Sequence, residues 1–564
     1  MNRVRSDGQR ELRAGILLDV CEVAGWRRVV LQRVLADPSV EIALVIEDGS
    51  SKSDPRSLAS WAARSCWKMI DALEVRISRR LIHRMLTKAN CFAPERLDHR
   101  SVGIAELGLD RPRVRMDEVD AIRGAGLDVI LNLSGQTVRV PPANVSRLGT
   151  WSLRTAGGSH DAVSPLAFWE FYRNQSITEI RVLSQCDDSG DVKIVGAARY
   201  CTFRWLWSVN AILMGLEASL LLLDLMHRAK DGIDRGEERK WPLQRRVDLG
   251  GDQRERGLFH APVVMASSVF RVVAKLAQRS LFEDRWRLLL MEATPQAAIT
   301  AGPVVIQSPP DRYWADPFAI RRNGKCYVFF EEYFYAKHRG VISYIELDSL
   351  NEAKRTTSHV SHCVIDQPYH LSYPFLFVHK GDLFMIPETS ANKSIDIWHA
   401  TDFPNIWRKH RTIFEGISAA DNSLLEWNGI WWLFTNIDRN GLNNHSKELH
   451  VFYAEDPLDG PWLPHVGNPV LIDCTSARMA GGFLRSLDGR PIRCGQVQGK
   501  RYGESVTYNL VSELSETRYA ETPLIPFNST PTTPGARTHH VAYRDGLLVA
   551  DECLITTKLG RWLG

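Results

Sequence analysis

The sequence predicts a multidomain chain in which an α/β domain is followed by an all-β, five-bladed propeller. Residues 11–230 alternate apolar runs with helical patterns, whereas from about residue 285 short aromatic and β-branched strands are separated by Gly, Asn and Asp turns. At 564 residues the chain is also too long for one ordinary domain. We therefore predict an α/β domain over 1–230, a charged, glycine-rich connecting segment over 231–284 and a propeller over 285–564.

The first domain is predicted from a strand–helix–strand order. "LRAGILLDV" has the pattern of a strand, "GWRRVVLQRVLADP" of a helix and "VEIALVIED" of a second strand. Further on, "VDAIRGAGLDVILNLSG" predicts a helix that ends near Gly124 and a buried strand after it. This order predicts a mostly parallel sheet of Rossmann type, covered on both faces.

The propeller is predicted from a repeat. Five segments share a strand, a turn glycine and a second strand, and the glycines are separated by 57, 48, 60 and 57 residues: Gly324, Gly381, Gly429, Gly489 and Gly546. Each copy has the pattern of a hairpin whose turn residue can take a positive φ. Five hairpins at blade-sized spacing favour a five-bladed propeller, and an irregular β-sandwich is the alternative.

The repeat also aligns two sets of polar positions. The residues eight before each glycine are Asp316, Tyr373, Asp421, Gly481 and Thr538, and the residues seven after it are Glu331, Glu388, Asn436, Gln496 and Cys553. The innermost strands of a propeller converge on a central funnel. We therefore expect these positions to line one shared pocket. The alternative is that the polar side chains satisfy backbone groups or pair with arginine.

Composition excludes several classes of protein. A formal charge of +4 with no long basic run does not indicate nucleic-acid binding. The ten cysteines are scattered without a CxxC pair, which indicates reduced thiols in a cytoplasmic chain. The most apolar segment, 205–228, is interrupted by Glu217 and Asp224. It predicts a buried or amphipathic helix, so we expect neither a transmembrane segment nor a signal peptide.

Residues 148–194, "LGTWSLRTAGGSHDAVSPLAFWEFYRNQSITEIRVLSQCDDSGDVKI", resemble the formyltransferase fold of methionyl-tRNA formyltransferases and sugar N-formyltransferases. The resemblance implies N10-formyltetrahydrofolate as the cofactor and places Asp188, in "DDSGD", at the family's catalytic aspartate. Ser152 and Arg154 stand where the family has Asn and His, and Arg cannot act as a general base. His160 would serve in its place only if the loop folds back.

The second half resembles the five-bladed propeller of glycoside hydrolase family 43. Through "YWADPF", "FFEEY", "YHLSYPF", "IPETSAN" and "WWLFT" it resembles more closely the N-terminal domain of glucosamine inositolphosphorylceramide transferases. The resemblance implies a role in sugar or glycolipid synthesis. Asp316 matches the hydrolase family's general base and Asp421 lies at the analogous place in the third blade, while Tyr373 replaces a further aspartate. Glu388 is an additional carboxylate for a site that needs one acid and one base.

Aromatic and polar side chains near these carboxylates suit a carbohydrate, whose ring faces stack and whose hydroxyls need acceptors. The candidate substrate-binding residues are Trp314, Glu331, His370, Tyr373, Arg478, Gln498, Tyr502 and His539. The pair His539 and His540 has no further metal-ligating residue at a familiar spacing in the sequence, so no metal is expected. Three hypotheses remain open: a transferase of glycan or glycolipid biosynthesis whose propeller binds the sugar, a non-catalytic carbohydrate-binding scaffold, and hydrolysis or glycosyl transfer in the propeller itself.

Overall fold

The chain divides into two compact units, residues 1–275 and 276–564, in the computed structural model. The structure describes residues 10–18, 22–23, 25–47, 67, 69–70, 73–74, 76, 102–103, 111–134, 143–156, 166–185, 192–235, 244–246, 260–294, 302–356, 358–524, 533 and 535–558.

The first unit is built on an eight-stranded sheet with the order β10-β9-β8-β7-β6-β1-β3-β5. Its strands, together with the short pair β2–β4, are β1 (Leu12–Leu18), β2 (Glu22–Val23), β3 (Val40–Glu47), β4 (Val102–Gly103), β5 (Arg113–Arg115), β6 (Val129–Asn132), β7 (Thr150–Thr155), β8 (Ile177–Gln185), β9 (Val192–Cys201) and β10 (Gln244–Arg246). The described helices are α1 (Gly25–Ala36), α2 (Val119–Gly124), α3 (Phe168–Tyr172), α4 (Trp207–Asp234) and α5 (His260–Leu281), with a 3-10 turn at Ala143–Val145.

The predicted strand–helix–strand order is confirmed by β1, α1, β3, α2 and β6, but the sheet is mixed rather than mostly parallel. Strands β5, β3, β1, β6 and β7 run parallel, whereas β7 to β10 pair antiparallel. The reason is local: β8 and β9 are joined by a short connection, which makes a hairpin, and only a longer crossover could make them parallel. A doubly wound Rossmann-type sheet is therefore not evident in this unit.

The segment 231–284, predicted as a linker, contains regular structure. Helix α4 continues to Asp234, β10 pairs with β9, and α5 occupies 260–281. Helices α4 and α5 are long and apolar enough to cross a membrane by length and composition, and 72% and 17% of their most apolar windows are buried. The mostly buried α4 is the helix expected at 205–228. The charged residues and glycines of the segment favour the prediction of a linker, although the apolar residues of α5 recur at helical spacing.

The second unit is a five-bladed propeller, as the repeat predicted. Its strands are β11 (Phe282–Glu292), β12 (Val304–Ile306), β13 (Arg312–Arg322), β14 (Lys325–Phe334), β15 (Arg339–Leu347), β16 (His362–Ile365), β17 (Ser372–His379), β18 (Asp382–Glu388), β19 (Ser394–Asp402), β20 (Ile406–Glu415), β21 (Ala419–Trp427), β22 (Ile430–Ile437), β23 (Glu448–Ala454), β24 (Leu463–Pro464), β25 (Leu471–Ile472), β26 (Met479–Arg485), β27 (Pro491–Val497), β28 (Ser505–Leu514), β29 (Tyr519–Pro523), β30 (Val541–Arg544) and β31 (Leu547–Thr557). A short helix, α6 (Leu350–Ala353), and a 3-10 turn at Ser390–Asn392 lie in its loops.

Each blade begins with one of the predicted hairpins. The pairs β13–β14, β17–β18, β21–β22, β26–β27 and β30–β31 turn through the repeat glycines, all of which have φ between 75° and 90°. In the fifth blade β31 pairs along its whole length with β11, which comes from the other end of the propeller sequence. This pairing closes the ring and protects sheet edges that would otherwise be exposed.

Candidate functional site

Four of the five inner strands are irregular at the position that the repeat aligned. Asp316, Tyr373 and Asp421 have φ values of 53°, 48° and 53°, and Gly481 has 111°. At each of them the register with the next strand shifts. A bulge with positive φ turns a side chain out of the strand's alternation, and such strained non-glycine residues cluster at functional sites. The fourth copy needs glycine, because a Cβ there would lie 2.0 Å from the Val541 carbonyl oxygen.

Asp316 and His539 form the centre of a buried charge cluster. His539 Nε2 lies 3.1 Å from Asp316 Oδ1, and His539 Nδ1 lies 2.9 Å from Asp551 Oδ2. Although burial opposes both changes, the two carboxylates raise the pKa of His539 to about 10, and the imidazolium lowers the pKa of Asp316 to about 2. Asp551 also accepts the backbone N–H groups of Asp316, His539 and His540, each at 3.1 Å. Asp316 is therefore ionised, and its backbone is fixed by the fifth blade.

Glu331 lies beside this cluster, and its pKa is shifted in the opposite direction to that of Asp316. It pairs across the strands with Ala315, the neighbour of Asp316. Burial, and then the charge of Asp316, raise the pKa of Glu331 well above its ordinary value. The Tyr313 hydroxyl donates to Glu331 Oε1 at 3.4 Å, and His370 Nε2 lies 3.5 Å from the same oxygen. Two neighbouring carboxyl groups therefore have pKa values that are shifted in opposite directions.

The third and fourth blades supply an arginine–carboxylate group. Arg478 Nε donates to Asp421 Oδ2 at 2.5 Å, and Arg478 Nη2 lies 3.8 Å from Glu388 Oε2. Burial raises the pKa of Asp421 to about 7 against the effect of the guanidinium, with Glu388 and Asp316 acting in the same direction as burial. Gln496 donates to Asp421, and Gln498 donates to Gln496. Two of the predicted carboxylates, Arg478 and both glutamines therefore belong to one network.

Two side chains beside the buried cluster, one aromatic and one imidazole, reach solvent. Tyr502 is 48% exposed, and its ring lies 5.4 Å from the Arg478 guanidinium and 5.5 Å from the His539 ring. His370 is partly exposed, and its Nδ1 accepts the Gly340 N–H, so the proton of the neutral ring is on Nε2 and faces Glu331. Tyr502 and His370 therefore give the buried charged cluster its exposed ring surfaces.

Two of the predicted binding residues are buried in the propeller and have no free surface for a ligand. Trp314 is fully buried, and its indole N–H donates to Glu332. Tyr373 is also fully buried, and its hydroxyl contacts Ser423 and the backbone of Gly481. Trp314 is two residues before the bulge of its strand, so it still follows the normal alternation into the core. These two residues support the charged cluster rather than line the pocket.

Two of the aligned polar positions also fall outside the pocket network. The Asn436 side chain donates to backbone carbonyls of Glu448 and Ala477, which ties two blades together. Cys553 accepts a hydrogen bond from Arg537. The structural interpretation is therefore right for these two copies, whereas Glu331, Glu388 and Gln496 lie in the network.

A further cavity, of about 370 Å³, lies on the turn side of the inner strands and is lined in part by Phe318, Phe375 and Phe483. The Phe318 ring packs edge-to-face against Tyr373 and His540, with centroids 5.1 and 4.6 Å apart. Tyr373 and His540 in turn belong to the strands that carry the charged cluster. These rings therefore lie between the cavity and the charged cluster.

Among the described residues, Asp316, His539 and Asp551 form a group whose ligand atoms lie within 4.8 Å of one another and could hold a metal ion. A metal-binding imidazole nitrogen must be unprotonated. Here each ring nitrogen faces a different carboxylate and the ring is held protonated. Without an ion, the same three side chains form an imidazolium bridge between two aspartates.

The structure describes only some of the candidate residues of the first unit. Asp188 and His160 lie outside the described residues. Ser152 and Arg154 lie on β7, next to the antiparallel strand β8. Formyl transfer and N10-formyltetrahydrofolate stay predictions from the sequence.

The propeller has recognisable relatives. Residues 292–548 match the family model "Glucosamine inositolphosphorylceramide transferase 1, N-terminal". The chain is 30% identical over 217 residues to glucosamine inositolphosphorylceramide transferase 1 of Oryza sativa subsp. japonica, which is 38% of this chain and 28% of that protein. With the Arabidopsis thaliana protein it shares 28% identity over 239 residues, covering 41% and 30%. The chain thus spans less than a third of the curated relatives that it matches.

Solved structures with similarity to the chain include glycoside hydrolases. A thermostable family-43 glycoside hydrolase is 12% identical with a TM-score of 0.26, covering 43% of this chain and 74% of that one. A family 117 glycoside hydrolase of Zobellia galactanivorans is 13% identical with a TM-score of 0.30, covering 48% and 90%. These relatives and neighbours give the formyltransferase resemblance of the first unit no support.

Proposed function

We propose that this chain acts in glycan or glycolipid biosynthesis and that its propeller binds a sugar in the pocket formed by Asp316, Glu331, Asp421 and Arg478. The observation that carries the proposal is the pairing of Asp316, whose pKa is lowered, with Glu331, whose pKa is raised, beside the partly exposed Tyr502 and His370. Sugar hydroxyls need both acceptors and donors, and this pair offers one of each.

The same pair gives the pocket a capacity for acid–base chemistry. Adjacent carboxyl groups whose environments push their pKa values apart take the roles of acid and base in glycosidic bond reactions. Glu331 would donate a proton to a departing sugar oxygen. Asp421, whose pKa of about 7 lies at neutral pH, would accept one from an attacking hydroxyl. Asp316 would hold a sugar hydroxyl and stabilise positive charge that develops on the ring.

The relatives support the choice of substrate class. Their name describes the transfer of glucosamine to inositolphosphorylceramide, and the family model is that of their N-terminal region. Tyr502 would stack on the apolar face of the sugar ring, because an aromatic face offers large contact area with few rotamers to fix. Arg478, held by two carboxylates, would donate to ring hydroxyls.

A second candidate function is a non-catalytic carbohydrate-binding module. It is favoured by one observation, the ion pair of Asp316 with His539, which leaves Asp316 a weak base. The two candidates make the same prediction for binding and differ for turnover.

The test is a glycan array that includes amino-sugar and inositol-linked glycans, probed with the purified full chain and with the double variant Asp316→Asn/Asp421→Asn. We expect the wild type to bind a subset of the glycans and the double variant to lose that binding. The bound glycans are then incubated with the wild-type and the Glu331→Gln proteins, and products are followed by mass spectrometry. Turnover that Glu331→Gln abolishes supports catalysis, unchanged glycans support the binding module, and an array without bound glycan contradicts the proposal.

A further inference from the structure

Helix α5 exposes a continuous apolar face. Its exposed large side chains include Val269 at 59% and Phe270 at 73% accessibility, together with Val263, Met265, Val273, Leu276 and Leu281. At 100° per residue these seven positions fall in an arc about 160° wide. The face continues at Phe282, the first residue of β11, which is also exposed. An exposed apolar patch of this length marks an interaction surface.

The opposite face of α5 is held by the first unit. Ala261 and Val264 are buried in a cluster with Trp67, Phe168 and Trp207. Ser268 donates to Glu74, and Arg271 donates to the backbone carbonyls of Phe171 and Arg204. A helix held along one side by such contacts lies on the surface of its unit, and its free face is available to a partner.

The charge on this helix is of one sign. Residues 260–282 contain no Asp or Glu, whereas Arg271, Lys275 and Arg279 lie among them. At the end of the helix the exposed Lys558 donates to the Arg279 carbonyl, which brings a further cation beside Leu281 and Phe282. Cations bordering an apolar helix face are the pattern of an interfacial helix that enters the headgroup region of a membrane with anionic lipids.

We propose that α5 docks the protein on an anionic lipid surface, with Val269 and Phe270 inserted among the acyl chains and with the cations of the helix contacting lipid headgroups. Because this face of the helix carries no charged side chain, it suits the apolar region of a lipid layer better than the surface of a soluble protein. The single sign of charge favours anionic lipid over a second copy of the same cationic helix, which would repel it. The inference stands independently of the proposed sugar site.

The test is sedimentation of the full chain with vesicles of phosphatidylcholine alone or with about 30% phosphatidylserine. We expect binding to the anionic vesicles that weakens in high salt, because the Debye length falls to about 3 Å at 1 M. The variant Val269→Ser/Phe270→Ser should bind about tenfold or more weakly. The matched control is Val360→Ser/Leu487→Ser, which removes two side chains that are 75% and 93% exposed elsewhere and should bind like the wild type.

Three results would overturn the proposal: no binding of the wild type to anionic vesicles, equal binding by Val269→Ser/Phe270→Ser, or equal loss in the control. Sedimentation velocity without lipid identifies a second copy as the occupant if the wild type is a dimer and Val269→Ser/Phe270→Ser is a monomer. Sugar binding by the same variants should equal that of the wild type. A failure at the membrane can therefore be told apart from a failure of the sugar site.

Discussion

The substitution Asp316→Asn should remove the negative charge that forms an ion pair with His539, while preserving the backbone conformation. The φ of 53° at this position suits Asn, one of the few residues that enters the left-handed region readily. The backbone N–H of residue 316 would still donate to Asp551. What changes is the His539 imidazolium, which then faces one carboxylate instead of two.

The size of the effect can be worked out from either partner. The pKa of Asp316 falls from 3.8 to about 2, which corresponds to about 2 kcal/mol at 1.36 kcal/mol per unit. The pKa of His539 rises from 6.5 to about 10, which corresponds to roughly 5 kcal/mol shared between two carboxylates. Both values give about 2 kcal/mol for this ion pair, counted once. For a domain of this size that is about 5 °C in the melting temperature of the propeller.

The pH dependence identifies the imidazolium. A group whose pKa is raised on folding stabilises fully below its unfolded pKa, here 6.5, and that contribution is lost as the pH rises through the folded value of about 10. Scanning calorimetry of the full chain between about pH 6 and about pH 10 should therefore show a difference between wild type and Asp316→Asn that is largest near pH 6 and shrinks toward pH 10. A difference that stays constant over this range would refute the protonated His539.

Three further substitutions test the rest of the site. Glu331→Gln replaces a carboxyl group whose raised pKa favours the protonated form, so the propeller's stability should change by less than about 1 kcal/mol, and a loss above about 3 kcal/mol would show an ionised Glu331. Gly481→Ala should cost about 3 kcal/mol or more in chemical unfolding because of the contact with Val541, whereas Gly489→Ala, a turn glycine with no atom within 4 Å of the added Cβ, should cost only about 1 kcal/mol; equal losses would contradict the close approach. Arg478→Met should leave the Asp421 carboxyl without its guanidinium, raise its pKa further above about 7 and cost about 3 kcal/mol by calorimetry at neutral pH; an unchanged melting temperature would contradict it.

The propeller and half of its site follow from sequence because the repeat is local. Each hairpin is marked by a glycine that needs positive φ, and counting from that glycine leads to Asp316, Glu331 and Asp421. The same counting marks Tyr373 and Gly481 as equivalent, and the structure confirms this with a bulge at both.

The remaining parts of the site depend on contacts between distant residues. Asp551 lies on the second strand of the last hairpin, two residues before the aligned Cys553, and reaches the cluster only when the ring closes. Its one sequence signal is a carboxylate in an otherwise apolar strand, "LLVADECL". The sequence predicts Trp314 in the pocket because aromatic residues are common both in propeller cores and in sugar-binding sites. Only the burial of the side chain in the structure distinguishes a core residue from a binding residue.

The first unit shows that local sequence patterns predict strands and helices better than they predict strand direction. Its strands and helices follow from hydrophobic periodicity, but the direction of β8 and β9 depends on how the chain returns between them. The sequence predicts a linker in place of helix α5 because the flanking segment is rich in charge, although the apolar positions of the helix recur at helical spacing.

The most direct test of the central claim is calorimetric titration of a glycan that binds the full chain, using wild type, Asp316→Asn and Glu331→Gln. The pocket predicts saturable binding to the wild type, retention by Glu331→Gln and a loss of about tenfold or more in Asp316→Asn, since a hydrogen bond to a charged group is worth about 1.5–3 kcal/mol. Equal affinity in Asp316→Asn and wild type would contradict a sugar site at Asp316.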